Sequence, residues 1–172
     1  MLQLLHPLLI RESSTKTVKN NTILHNYPSH AAIILNLLQQ GETVHFVAQG
    51  PSMYPLIRSG SHVSVTPWNA KSPISPGTII FFQQHNRLTL HRVIRHDTQN
   101  KKLHIIADAA LSGLEAVTES SVLGIGQYLF RDKKKYRLNA LYFRQFGLLL
   151  YYARPLRRLW AKIRKKAETL KN

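Results

Sequence analysis

Ser52 stands in the run Gly50-Pro51-Ser52-Met53-Tyr54-Pro55, between a predicted strand and a turn. Further on, His91 opens the Val/Ile-rich stretch His91-Arg92-Val93-Ile94, and Asp108 follows in Ala107-Asp108. A hydroxyl is a weak nucleophile. It attacks a carbonyl only when an adjacent base takes its proton and a third group orients that base. In this order, these three side chains are the ingredients of a Ser-His-Asp nucleophilic site. Each has a plainer reading when taken alone. A serine at a strand end is commonly a turn or cap residue, a strand-end histidine is commonly a satisfied hydrogen-bonder, and a loop aspartate is commonly a turn former. Glu115 is a weaker substitute for Asp108.

Positioning such a set requires strands and tight turns around it. The segments 44–48, 62–66, 78–83, 88–96, 102–107 and 122–130 are rich in β-branched or aromatic residues, with Pro and Gly in several of the gaps. They predict a mainly β domain, antiparallel and partly closed. A short helical turn is expected over 54–59, and Asn86-Arg87 is expected to turn one hairpin. Upstream, 12–22 is polar and reads as a loop, and 30–40 reads as a helix capped by Ser29 and stopped at Gly41.

From Leu138 onward the period changes. Apolar residues recur at steps mostly of three and four as far as Leu170, the pattern of an amphipathic helix that Pro155 must kink or divide. The expected organisation is an N-terminal extension with one helix (1–43), a β domain (44–131) and a basic amphipathic helical tail (132–172). The net charge of +16 is concentrated there: from Arg131 on, 14 Lys/Arg face 2 acids. Arg154, Arg157, Arg158, Lys162 and Lys165, with Trp160 among them, fit a helix lying on an anionic membrane surface. Two other readings stay open. The tail packs its apolar face on the β domain or a partner protein, or its cations make nonspecific phosphate contacts. No zinc-finger, RNP or helix-turn-helix pattern points to sequence-specific nucleic-acid binding.

Composition narrows the chemistry further. There is no cysteine, so neither a disulfide framework nor a thiolate metal site exists. The nine histidines show no compact ligand pair, so neither metal nor cofactor is expected. The apolar stretches at 1–10 and 146–153 are too short for a membrane span. With no basic start to a secretory signal, the expectation is a cytoplasmic protein, peripheral at the inner face of the membrane if the tail binds lipid.

Five boxes in order carry a resemblance: Ser52-Met53-Tyr54-Pro55, Gly60-Ser61-His62-Val63-Ser64-Val65, Gly77-Thr78-Ile79-Ile80-Phe81-Phe82, His91-Arg92-Val93-Ile94 and Ala107-Asp108. A closing Leu123-Gly124-Ile125-Gly126 follows. Together, over residues 44–130, they resemble the type I signal peptidase and LexA-like serine peptidase superfamily. The His form of the fourth box resembles the branch found in archaea and the endoplasmic reticulum. The resemblance implies the signal-peptidase/LexA-like β fold and an endopeptidase acting on a peptide or protein precursor. It makes Ser52 the nucleophile, His91 the general base and Asp108 the group that orients His91. The Ser52 N–H would be an oxyanion donor, and Gly50, Met53 and Pro55 would line the substrate cleft, although Met53 also reads as core filling.

The chain departs from the family pattern at Ser61, Thr78 and Ala107, where family members have Asp, Asp and Gly. Gly50 lacks a hydroxyl and Pro51 an N–H. One oxyanion donor fewer costs about 3 kcal/mol of transition-state stabilisation. These departures motivate a rival expectation, a catalytically degenerate module that binds a peptide or partner without cutting it.

Overall fold

The computed structural model describes residues 28–69, 73–85 and 87–169. The expected loop at 12–22 and the turn residue Asn86 lie outside these, as does the Ser29 side chain. Helix α1 (Pro28–Gln39) comes first. Gly41, at φ +83°, follows its end, where a residue without Cβ takes the left-handed conformation at little cost.

Eight antiparallel strands make one curled sheet: β1 (Val44–Val47), β2 (His62–Pro67), β3 (Ile79–Gln84), β4 (Arg87–Asp97), β5 (Lys102–Ile106), β6 (Glu115–Thr118), β7 (Val122–Arg131) and β8 (Lys134–Arg137). Their order is β1-β2-β7-β3-β4-β5-β6, with β8 paired to β7. The mainly β class expected from the sequence is therefore observed.

Alternation along the strands divides the interior into two clusters. Ile79, Phe81 and Leu90 join α1 residues Ile34, Leu37 and Leu38 on one face. Ile80, Phe82 and Val93 join Leu103, Ile105 and Val117 on the other. The central strand β3 is buried on both faces, which explains its unbroken Ile-Ile-Phe-Phe run. Each such side chain contributes about 1.5–3 kcal/mol by leaving water.

Two strands lay outside the sequence reading. Strand β8 falls in the segment read as helical tail. Asp132 and Lys133 both adopt positive φ (51° and 60°) between the paired residues Arg131 and Lys134. That two-residue loop is the mirror-type hairpin turn usually signalled by Asn-Gly, and Asp-Lys hides it. Strand β6 is a short edge with little alternation. In the β3–β4 hairpin Arg87 is already a strand residue paired with Gln84, so it is not a turn residue.

The tail consists of two helices, α2 (Leu141–Tyr152) and α3 (Arg154–Thr169), divided at Ala153 just before Pro155. Leu138, fully buried, joins the first cluster together with Phe143, so the tail is rooted in the β domain. Among the described residues no helix is long and apolar enough to cross a membrane.

Candidate active site

Strand β1 leads into the Ser52 turn, and β2 leads out of it. The stem is closed by two main-chain bonds, from Ala48 N–H to Ser61 carbonyl and from Gly60 N–H to Ala48 carbonyl, both 2.8 Å. Within the turn, Tyr54 N–H donates to Pro51 carbonyl (3.0 Å) and Ile57 N–H to Met53 carbonyl (2.8 Å). The helical turn expected over 54–59 is instead a run of hydrogen-bonded turns over 52–56, without helix. Met53 and Ile57 are buried in the first cluster. Met53 is thus a core anchor that fixes the turn, the core-filling role its sequence position also offered. Pro55 is half-buried and Gly50 is exposed, with open space where a Cβ would stand. Gly50 N–H donates to Ser59 Oγ at 3.2 Å.

Neighbouring residues on β4 point to opposite faces, and His91 and Arg92 do so. His91 packs against Phe82, ring centroids 5.5 Å apart. Its Nδ1 is buried without a hydrogen-bond partner. Glu115 Oε2, at the start of β6, lies 3.8 Å from that nitrogen. Burial holds the His91 pKa below its usual 6.5, against the smaller raising effects of the Glu115 and Asp108 charges. The imidazole is therefore neutral at pH 7.

Arg92 has no exposed surface. Its Nε and Nη2 each donate to one oxygen of Asp108 at 2.7 Å, and Nη1 donates to Gly77 carbonyl at 2.6 Å. Arg92 is thus neither solvated nor simple packing. Such a two-pronged, charge-assisted pair fixes both partners in orientation. Burial pushes the Asp108 carboxyl up, opposed by its hydrogen bonds and charge contact with Arg92. This corrects the expected Asp108–His91 pairing: both Asp108 oxygens serve Arg92, and the carboxylate nearest His91 Nδ1 is Glu115.

The loop after Asp108 reaches the Ser52 turn directly. Ala109 N–H donates to the Ser52 carbonyl at 2.9 Å. Ser52 is thereby tied to the Arg92–Asp108 pair, whereas His91 lies on the opposite face of β4 from Arg92 and, among the described residues, no hydrogen bond joins it to Ser52. Arg157 donates to the carbonyls of Asp108 (3.2 Å) and Ala109 (3.5 Å), and Arg158 donates to that of Leu111. Arg154 lies over the Tyr151 ring at 4.0 Å. Two of the cations assigned to outside contacts, Arg157 and Arg158, thus hold the Asp108 loop. Trp160, Lys162 and Lys165 are exposed.

Helix α2 closes over the Arg92–Asp108 pair at Gly147. A Cβ there would lie 2.0 Å from the Arg92 guanidinium carbon, so only glycine lets the helix approach. This residue and Arg92 were the functional positions missed from the sequence. The signals were a glycine inside a strong helical pattern and a charged residue in the middle of an apolar strand.

Among the described residues the other histidines form no ligand set. His96 Nδ1 accepts from Ile74 N–H (3.0 Å) while its Nε2 faces Glu119 (2.6 Å), and His104 faces Arg95. Neither a protein-family model nor a curated protein matches the chain.

Proposed function

We propose that the chain is a serine endopeptidase of the His-type signal-peptidase kind that its motifs resemble, working in the cytoplasm on a peptide or protein precursor. One observation carries the reading. A neutral, largely buried imidazole, with an unsatisfied Nδ1 facing a carboxylate 3.8 Å away, sits next in sequence to the arginine that pins the loop bonded to Ser52. A buried polar nitrogen left without a partner costs free energy. An Nδ1–H that gains the Glu115 carboxylate as its partner once Nε2 has taken a proton accounts for that cost.

In this reading Ser52 Oγ attacks the peptide carbonyl as His91 takes the hydroxyl proton. The imidazolium then gains the Glu115 charge as its partner, closing the 3.8 Å gap to a hydrogen bond. His91 returns the proton to the leaving amine, and water releases the acyl group by the same route in reverse. The Ser52 N–H receives the developing oxyanion, a hole one donor short because Pro51 has none to give. The Arg92–Asp108 pair is a positioning element that holds the Ser52 turn through Ala109. The mechanism calls on no cofactor.

Strand β1 ends the sheet order and runs straight into the Ser52 turn. An extended substrate pairing with its outer edge, which no strand covers among the described residues, would reach Ser52 by strand addition. The resemblance implies small residues before the cut.

A second reading, a peptide-binding module without cleavage, is favoured by the full engagement of Asp108 with Arg92. Incubation with a mixed peptide library, read by mass spectrometry, separates the two. The proposal expects cleavage by wild type and none by Ser52→Ala or His91→Gln, each still folded by circular dichroism. Cleavage that persists in Ser52→Ala, or a folded wild type that cuts nothing, would refute it.

A further inference from the structure

A surface helix ordinarily buries its apolar stripe and shows its charges to water. Helix α3 is turned the other way. Arg154, Arg157 and Ala161, a turn apart from one another, are its half-buried residues, and Arg157 and Arg158 hold the Asp108 loop. The opposite arc carries Leu156, Leu159, Trp160 and Ile163, which are 71, 57, 64 and 58 % exposed. For α3 this overturns one arrangement weighed from the sequence, in which the tail's apolar face packs on the β domain, whereas Leu138 and Phe143 do pack there. The stripe continues onto α2. Helical bonding runs through the break, from Ala153 N–H to Leu149 carbonyl and from Arg157 N–H to Ala153 carbonyl, so Leu149 and Tyr152, also exposed, lie two turns and one turn before Leu156.

We infer that this outward face is a docking surface for an anionic lipid bilayer, with α3 lying in the plane of the headgroups. The charge distribution selects the occupant. Helix α3 carries seven Lys/Arg and one Glu. By helical spacing Lys162 and Lys166 border the apolar arc on one side, and Arg164 borders it on the other, 5.7 Å from the Trp160 ring. An apolar arc between cationic borders, with an aromatic among them, matches the acyl–headgroup boundary of an anionic leaflet. A second copy fits poorly, because stacking the two faces would set two strongly cationic helices against each other. Nucleic acid also fits poorly: the arc that faces outward is apolar, while Arg157 and Arg158 are turned onto loop carbonyls. The inference goes beyond the peptidase reading and stands without it.

The test uses the full chain, sedimented with vesicles of phosphatidylglycerol and phosphatidylcholine or of phosphatidylcholine alone. Wild type should bind the first and scarcely the second, with affinity falling as salt rises. Lys162→Gln and Lys166→Gln should each weaken binding by about fivefold. Leu156→Ser with Ile163→Ser should abolish it without changing the melting temperature. Brominated lipid should quench the tryptophan emission of wild type far more than that of Trp160→Phe. The inference falls if folded wild type ignores anionic vesicles, or if Leu156→Ser with Ile163→Ser binds as wild type does. It also falls if the face proves to be covered by a concentration-dependent dimer, or if the protein retains RNA in place of lipid.

Discussion

At the residue scale the account turns on two carboxylates with different work. Glu115 faces the histidine and is partly exposed, whereas Asp108 is locked beneath α2 with Arg92. Glu115→Gln should lower kcat with little change in KM and leave stability within about 0.5 kcal/mol, as for other exposed positions. Asp108→Ala strips a buried guanidinium of its partner and should cost about 3–5 kcal/mol, measured by urea denaturation. Equal stability losses in the two variants would erase the distinction. The pH profile gives a separate check. A base titrates below its usual 6.5 when burial disfavours its cation, so the acid limb of kcat/KM should fall below that value. Glu115 raises the His91 pKa, so Glu115→Gln should move the limb further toward acid. The same linkage acts on folding. Between the folded and unfolded pKa values the unfolded chain binds the extra proton, so this contribution to stability is lost as pH drops through that window. The order of Ser52, His91 and Asp108 was legible in the sequence. The partner exchange was not, because a one-residue step along β4 turns Arg92 to the opposite face from His91, and only the fold shows which face meets Asp108.

At the element scale, the strands that place the site could be read from their β-branched and aromatic runs, because central strands buried on both faces have little freedom of composition. The edges could not. Strand β6, Glu-Ala-Val-Thr, has a single buried residue, and β8 follows a turn whose Asp-Lys pair gives no glycine signal. Pro155 correctly marked the division of the tail, since it cannot donate the hydrogen bond a continuous helix needs there. What the sequence could not show is how closely α2 approaches. Gly147→Ala should drive a methyl into the Arg92 guanidinium and destabilise the fold by about 1–3 kcal/mol. A melting temperature equal to wild type would mean that α2 does not seal the ion pair.

At the scale of the whole molecule, one chain of contacts joins the tail to the Ser52 turn. Helix α3 holds the Asp108 loop through Arg157 and Arg158, and that loop holds Ser52 through Ala109. Periodicity identified an amphipathic tail but not which face it buries, because burial depends on carbonyls that the 108–111 loop offers from far away in sequence. The net charge of +16 thus has two uses, part of it bonded inward and part bordering an exposed apolar arc. The central claim is that Ser52 is a nucleophile activated by His91. Its most direct test is intact-mass analysis after exposure to a serine-directed fluorophosphonate. The account predicts one adduct on wild type, mapped to Ser52, absent from Ser52→Ala and formed far more slowly on His91→Ala. An unmodified wild type, or an adduct that survives in Ser52→Ala, would contradict it.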